Sequence, residues 1–180
     1  MSGGVLSGVL RGATTALIAV LLMLVMAFAG VRLVGLTPYA VLSGSMEPQY
    51  PTGSLIYVKD VDPSTIVPGD AVTFVTPSGQ TATHQAYEVD VVGRVIRTQG
   101  IANINQDGSI MHDAEPVQFS QVVGVPVACI PLLGYINAFC TTPPGSYVVL
   151  ALAVATVAVS FVRPPSRNGG NREAMGRHAA

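Results

Sequence analysis

Two hydroxyls, Ser43 and Ser45, flank Gly44 in the stretch Val-Leu-Ser-Gly-Ser-Met-Glu-Pro-Gln-Tyr-Pro over 41–51. Gly44 tolerates backbone angles that other residues resist, and Pro48 and Pro51 stiffen the chain behind it. Such a stretch suits a nucleophile presented to an extended peptide, although Ser-Gly-Ser by itself is more often a plain turn. A serine becomes a useful nucleophile when an adjacent base takes its proton, and that base is commonly His or Lys. The chain has one lysine, Lys59, followed by Asp60 in a polar turn. A solvated lysine beside an acid keeps its proton at neutral pH, so it is the poorer partner. The three histidines are His84, His112 and His178. His178 falls in a basic tail, across the predicted membrane from Ser45. His84 follows Thr81-Ala82-Thr83 at the start of a predicted strand, where a ring can be held rigidly. His112 sits in a looser predicted loop, 103–115, so His84 is the preferred base.

A third group would orient the imidazole and stabilise its charged form, and carboxylates are the usual choice. Asp107 and Asp113 are the loop candidates beyond His84, while Asp90 lies close along the same strand. Taken singly, each loop acid is more often a turn former.

These residues need a scaffold, and composition says where it stands. Hydrophobic residues make up 49% of the 180 and charged residues only 11%, against the ~25% charged expected of a soluble domain. Membrane segments are therefore expected. The run from Ala13 to about Gly35 has no charge between Arg11 and Arg32, and its uncharged part is roughly 30 Å long as a helix, the thickness of a hydrocarbon core. Arg11 with Ala27-Phe28-Ala29 before Gly30 also resembles a cleavable secretory signal. The apolar run continues through Val31, Val34 and Leu36, longer than a signal core, which favours retention. A second uncharged run, Gly145–Val162, has small residues at Ala151, Ala155 and Ala158 that allow close approach of another helix.

Charge sets the expected topology. The tail after Val162 has Arg163, Arg167, Arg172 and Arg177 against Glu173, whereas Arg32 to Ser146 has four basic residues against nine acids. Positive residues favour the cytoplasmic side, so both termini are expected inside and the middle outside. The implied organisation is a cytoplasmic N-terminus (1–12), a membrane helix (13–35), a β-rich extracytoplasmic domain (36–144), a second membrane helix (145–162) and a cytoplasmic tail (163–180). Between the anchors, strand-like runs at 54–58, 71–75, 81–92, 94–98 and 117–127 alternate with Pro and Gly turns. The segment 122–140 is apolar, but Pro126, Pro131 and Gly134 interrupt it too often for a span. It is expected to lie against the membrane or to pack under the β domain.

With these residues in hand, the chain resembles the type I signal peptidases, in the serine–histidine branch found in the endoplasmic reticulum, archaea and some Gram-positive bacteria. Ser43-Gly44-Ser45-Met46-Glu47-Pro48 resembles the nucleophile box of that family, Pro68-Gly69-Asp70 with Ala71–Phe74 its Gly-Asp turn and strand, and His84 falls where the branch keeps its base. Gly93-Arg94, Thr98-Gln99-Gly100 and Asn103 resemble the next box. Ile130–Tyr135 and Thr142-Pro143-Pro144-Gly145 resemble the approach to the second anchor. Gln85 stands where the branch usually has Arg, and Ile101 where it usually has Asp. The final acid falls on Asp107 by distance from Gly100 or on Asp113 by distance from Pro116-Val117, with a lean to Asp113.

The resemblance implies a mainly β catalytic domain and removal of signal peptides from exported preproteins, with Ser45 as nucleophile and His84 as base. The backbone amide of Ser45, helped by the Ser43 hydroxyl, would hold the oxyanion. The expected partners are such preproteins and the lipid bilayer, with accessory membrane subunits left unassigned. A net charge of −1 gives no reason to expect nucleic acid. No metal or cofactor is expected, since the sequence has neither paired His/Cys spacing nor a Gly-rich phosphate loop. Cys129 and Cys140 fall on the outer side, where a disulfide is permitted; two separate thiols are the even alternative. The competing functional reading is a membrane-anchored β domain without catalysis, serving as an inactive relative or an assembly subunit.

Overall fold

The computed structural model describes residues 2–162; the expected basic tail, with His178, lies outside the described residues. Helix α1 spans Ser2–Phe28. A 3-10 turn over Gly30–Val34 follows, ending on Gly35 in the left-handed conformation at φ 77°, the usual C-terminal use of glycine. The expected helix of 13–35 thus loses α geometry after Phe28, where Gly30 weakens it. By length and composition, Gly12–Val34 is sufficient to cross a membrane.

Among the described residues, eight strands form one antiparallel sheet: β1 (Leu36–Ala40), β2 (Leu55–Lys59), β3 (Ala71–Val75), β4 (Thr81–Asp90), β5 (Val95–Ile104), β6 (Ile110–His112), β7 (Val117–Gln118) and β8 (Val122–Ile130). Their order is β1-β2-β8-β3-β4-β5-β6, with β7 beside β5. Two prolines sit where a sheet admits them. Pro38 is in β1, an edge strand, and Pro126 of central β8 faces Val58 where the β2–β8 register shifts; a missing N–H costs least at an edge or a bulge. Gly124 of β8 has φ 148°, and a Cβ there would overlap the Lys59 carbonyl.

The core lies under the β3–β4–β5 part of the sheet, where Ile66, Val72, Phe74, Ala86, Ile96, Val117 and Phe119 are buried together. The expected strand 117–127 is two strands. A 3-10 turn over Phe119–Gln121 separates them, with Gln118 and Gln121 capping each other reciprocally, which sends β8 away from β5 to lie between β2 and β3. The expected loop 103–115 is also replaced: β5 runs on to Ile104 and turns back into β6.

After β8 come helix α2 (Leu133–Thr141) and helix α3 (Gly145–Val162). They meet at 80°, because Pro143 and Pro144 lie between them and cannot continue α2. α2 packs on β1 and β2. The disulfide alternative is not formed: Cys129 and Cys140 are both free. Cys129 is held in β8 opposite Ile56, beside Tyr50, whose phenol pKa is raised by burial and to a lesser degree by Cys129, whereas Cys140 belongs to α2.

Ile96 is fully buried. Ile96→Ala is expected to lower unfolding free energy by about 2–5 kcal/mol, read from the midpoint of denaturant unfolding. Val92→Ala, at an exposed turn, is expected to change it by less than about 0.5 kcal/mol.

Candidate active site

Ser45 is delivered by the loop between β1 and β2, and several contacts fix it. The loop is closed at its base, where Val41 N donates to Ser54 O (2.9 Å) and Gly53 N donates to Val41 O (2.8 Å). Its turn is set by Glu47 N to Gly44 O at 3.0 Å and Tyr50 N to Met46 O at 2.9 Å. The Glu47 carboxylate accepts from Thr52 N (3.2 Å) and Thr52 Oγ1 (2.8 Å), and those hydrogen bonds hold its pKa below the ordinary value. The Met46 side chain is buried. Finally, Ala102 N of β5 donates to Ser45 O at 2.9 Å. That bond needs a close approach: a Cβ on Gly100 would sit 3.0 Å from the Ser45 Cβ and would overlap the Asn103 amide. Gly100 therefore has a packing reason to be glycine.

His84 is on β4, opposite Val72 of β3, with the Phe74 ring edge-on at 6.2 Å. Its Nε2 lies 3.1 Å from Ser45 Oγ, and its Nδ1 lies 2.6 Å from Asp113 Oδ2. Asp113 follows directly on β6, its N–H donating to Thr98 O at 2.9 Å. The same Oδ2 accepts a second hydrogen bond, from Thr98 Oγ1 at 2.6 Å. Burial pushes the Asp113 carboxyl up, but the hydrogen bonds from His84 and Thr98, with the nearby imidazoles of His84 and His112, outweigh it and leave the pKa below the usual 3.8. Asp113 is thus a carboxylate at neutral pH and can only accept. Nδ1 of His84 must then donate, which leaves Nε2 to accept from the Ser45 hydroxyl. This is the tautomer that a general base requires.

The other sequence candidates are placed elsewhere. Asp107 accepts from Ser109 N (2.9 Å) and Ser109 Oγ (2.7 Å), so it shapes the β5–β6 turn and is corrected from a site candidate to a turn former. Asp90 caps the next turn through Gly93 N at 2.8 Å. Lys59 is at the end of β2 paired with Leu36, while the Ser45 loop leaves the other end of β1. Four residues of strand, roughly 13 Å, separate those ends. His112 stacks on Tyr87 with ring centroids 4.0 Å apart. Ser43 Oγ is 3.3 Å from Ser45 Oγ. Gln85, the departure beside His84, bridges Gly69 O and Gln99 instead of entering the site.

A cleft of about 610 Å³ opens beside Ser45 and His84, between Tyr39–Leu42 on one side and Gln80–Thr83 on the other. Sequence reasoning quoted Thr98 and Gly100 only as parts of a box. Their tasks, holding the carboxylate and admitting the serine loop, depend on β4, β5 and β6 lying side by side, a pairing that local patterning does not encode.

An alcohol bonded to an imidazole that is itself held by a carboxylate is the arrangement of the serine hydrolases. Here it sits on a β sheet behind an apolar helix. The chain belongs to the signal peptidase, peptidase S26 family, whose pattern matches residues 14–122 and so spans Ser45, His84 and Asp113. It is 37% identical over 82 residues to signal peptidase I W of Bacillus subtilis (strain 168). That match covers 44% of this chain and 43% of the relative's length.

Because the folded-state pKa of Asp113 is depressed, its contribution to stability is present above the ordinary carboxyl range. It is lost as pH falls through the lowered folded value. Thr98→Val removes one donor to Oδ2 and is expected to raise the Asp113 titration midpoint, read by carboxyl-carbon NMR. An unchanged midpoint would contradict the assigned role of Thr98.

Proposed function

We propose that the chain is a membrane-anchored serine endopeptidase that removes signal peptides from exported preproteins at the extracytoplasmic surface. The observation that carries this reading is the 3.1 Å contact between His84 Nε2 and Ser45 Oγ at the mouth of a peptide-sized cleft. In the proposed arrangement α1 and α3 both cross the bilayer, both termini are cytoplasmic, and the sheet stands outside. A signal peptide's apolar segment lies in the membrane, so its scissile bond emerges where a serine tied to a membrane helix meets it. The anchor thereby supplies positioning.

The chemistry follows from the hydrogen bonds. Ser45 Oγ attacks the scissile carbonyl carbon as His84 Nε2 takes its proton, and Asp113 stabilises the imidazolium that forms. The negative charge moves to the carbonyl oxygen, where the Ser45 amide and the adjacent Ser43 hydroxyl are the donors proposed to receive it. Collapse breaks the C–N bond, and Nε2 returns the proton to the leaving amine. Water then attacks the Ser45 ester with the same base, releasing the new carboxylate and restoring the hydroxyl. Tyr39 and Tyr50 are among the residues that line the cleft with Ser45.

Ser45→Ala and His84→Ala are each expected to abolish precursor cleavage while the protein still co-floats with vesicles. Full activity in either variant would refute the assignment.

A further inference from the structure

Helix α2 is inside out for a helix in water. Its outward side carries Tyr135, Ile136 and Phe139, at the i, i+1, i+4 spacing of one helical face, exposed by 58%, 45% and 54%, and Leu132 just before the helix is exposed by 67%. The side turned to the sheet carries one large apolar residue, the half-buried Leu133, and otherwise small or polar ones. Gly134 is buried there against the Gly53 and Ser54 carbonyls, so closely that a Cβ would overlap them. Asn137 and Ala138 are half-buried on the same helix. The surroundings match the outward face. From Pro116 to Val162 the sequence contains no Asp, Glu, Lys or Arg, and Val127 and Ile130 of the preceding strand are exposed too. α2 and α3 lie beyond the residues that match the family.

We propose that α2 lies flat in the headgroup region of the bilayer with its Tyr135–Ile136–Phe139 face, and Leu132 before it, in lipid, and that it thereby sets the height of Ser45 above the membrane. The inference rests on the anchored-protease reading and adds a second, shallow membrane contact to it. Lipid is the occupant that the page favours for three reasons. The stripe is apolar and without charge, whereas a protein partner's rim is polar. It is continuous with apolar helices: α2 packs against β1, which follows the apolar helix α1 within a few residues, and leads at 80° into the uncharged α3, which touches α1. An in-plane helix joined at a steep angle to a spanning one is also the geometry that a bilayer surface selects, since an apolar helical face sinks only to the headgroup boundary.

The mechanical link to the nucleophile is short. A Cβ at Gly53 would overlap the Tyr135 ring, and Gly53 and Ser54 are the residues hydrogen-bonded to Val41 at the base of the Ser45 loop. The floor of that loop therefore rests on α2, and the depth of α2 in the interface becomes the height of the serine.

The chain has no tryptophan, so single reporters are clean. Phe139→Trp and, as the remote control, Val92→Trp in the β4–β5 turn, 96% exposed, are placed in the full chain. Each is reconstituted in phosphatidylcholine vesicles with plain or dibrominated acyl chains. Strong quenching of Phe139→Trp by the brominated lipid, with Val92→Trp unaffected, is expected. Protein that floats with the vesicles but leaves Phe139→Trp unquenched, as it would be if a second copy or another protein covered the stripe, overturns the inference while anchoring stands. Quenching of both reporters alike also overturns it, since no particular face would then be in lipid. Protein that does not float overturns the anchored reading itself. As a second readout, Ile136→Asp combined with Phe139→Asp is expected to slow cleavage of a membrane-inserted precursor several-fold and to leave cleavage of a short soluble peptide unchanged. Equal rates on the inserted precursor would remove the positioning role. Wild type that cleaves neither substrate would instead count against the protease reading.

Discussion

One oxygen atom, Oδ2 of Asp113, fixes the site. It takes hydrogen bonds from His84 Nδ1 and Thr98 Oγ1, each at 2.6 Å, and so ties β4, β5 and β6 together at one point. Because it can only accept, it decides which nitrogen of His84 carries the proton, and that in turn decides whether the nitrogen facing Ser45 can receive one. The strand that makes this possible is β5. It pairs with β4 along one edge and with β6 and β7 along the other, and Ala102 of the same strand donates its N–H to the Ser45 carbonyl. Three groups separated by 39 and 29 residues of chain are therefore all referenced to a single strand.

The balance of forces at Asp113 explains why the acid is only partly buried. Full burial would raise its pKa and threaten its charge, as desolvation penalises the ionised form. Complete exposure would weaken the pull on His84, because screening by water reduces a charge pair to little. At intermediate depth, with two donors on one oxygen, the carboxylate keeps its charge and still acts in a medium less polarisable than water. Thr98, fully buried beneath it, contributes a donor that cannot be lost to solvent.

The sequence made the chemistry legible before the arrangement. The apolar run that became α1, the strands around the Pro68-Gly69-Asp70 turn and the His84 position were readable because period, turn residues and the short inventory of bases are local properties. β1 was hidden because Leu36–Ala40 continues the apolar run of the anchor, and nothing but Gly35 marks the change. The β5–β6 hairpin was hidden because Asn105, Asp107, Gly108 and Ser109 carry turn chemistry and made the whole segment 103–115 look like loop. Sequence distance also left Asp107 and Asp113 open. The structure separates them by task, since Asp107 spends its carboxylate on Ser109, two residues away, and Asp113 spends its own across the sheet. The free thiols follow the same logic, because spacing along the chain says nothing about whether β8 and α2 bring two sulfurs within bonding geometry.

On the proposed reading of a membrane-anchored protease, height matters as well as chemistry, and the fold restricts it in a definite way. The Tyr57 hydroxyl of β2 donates to the Ala27 carbonyl at 3.2 Å, in the last turn of α1, where helix carbonyls lack partners of their own. The sheet is thus fastened to the end of the apolar helix instead of swinging from a flexible linker. Beyond it, β1 has five residues, so it rises roughly 13 Å from end to end, and the Ser45 loop begins where it stops. In the proposed placement a longer strand would lift the serine away from a bond emerging from the bilayer, and a shorter one would draw the loop into the headgroups. The short edge strand, the Tyr57 tether and the loop that rests on α2 would then constrain one coordinate together: the distance between lipid and nucleophile.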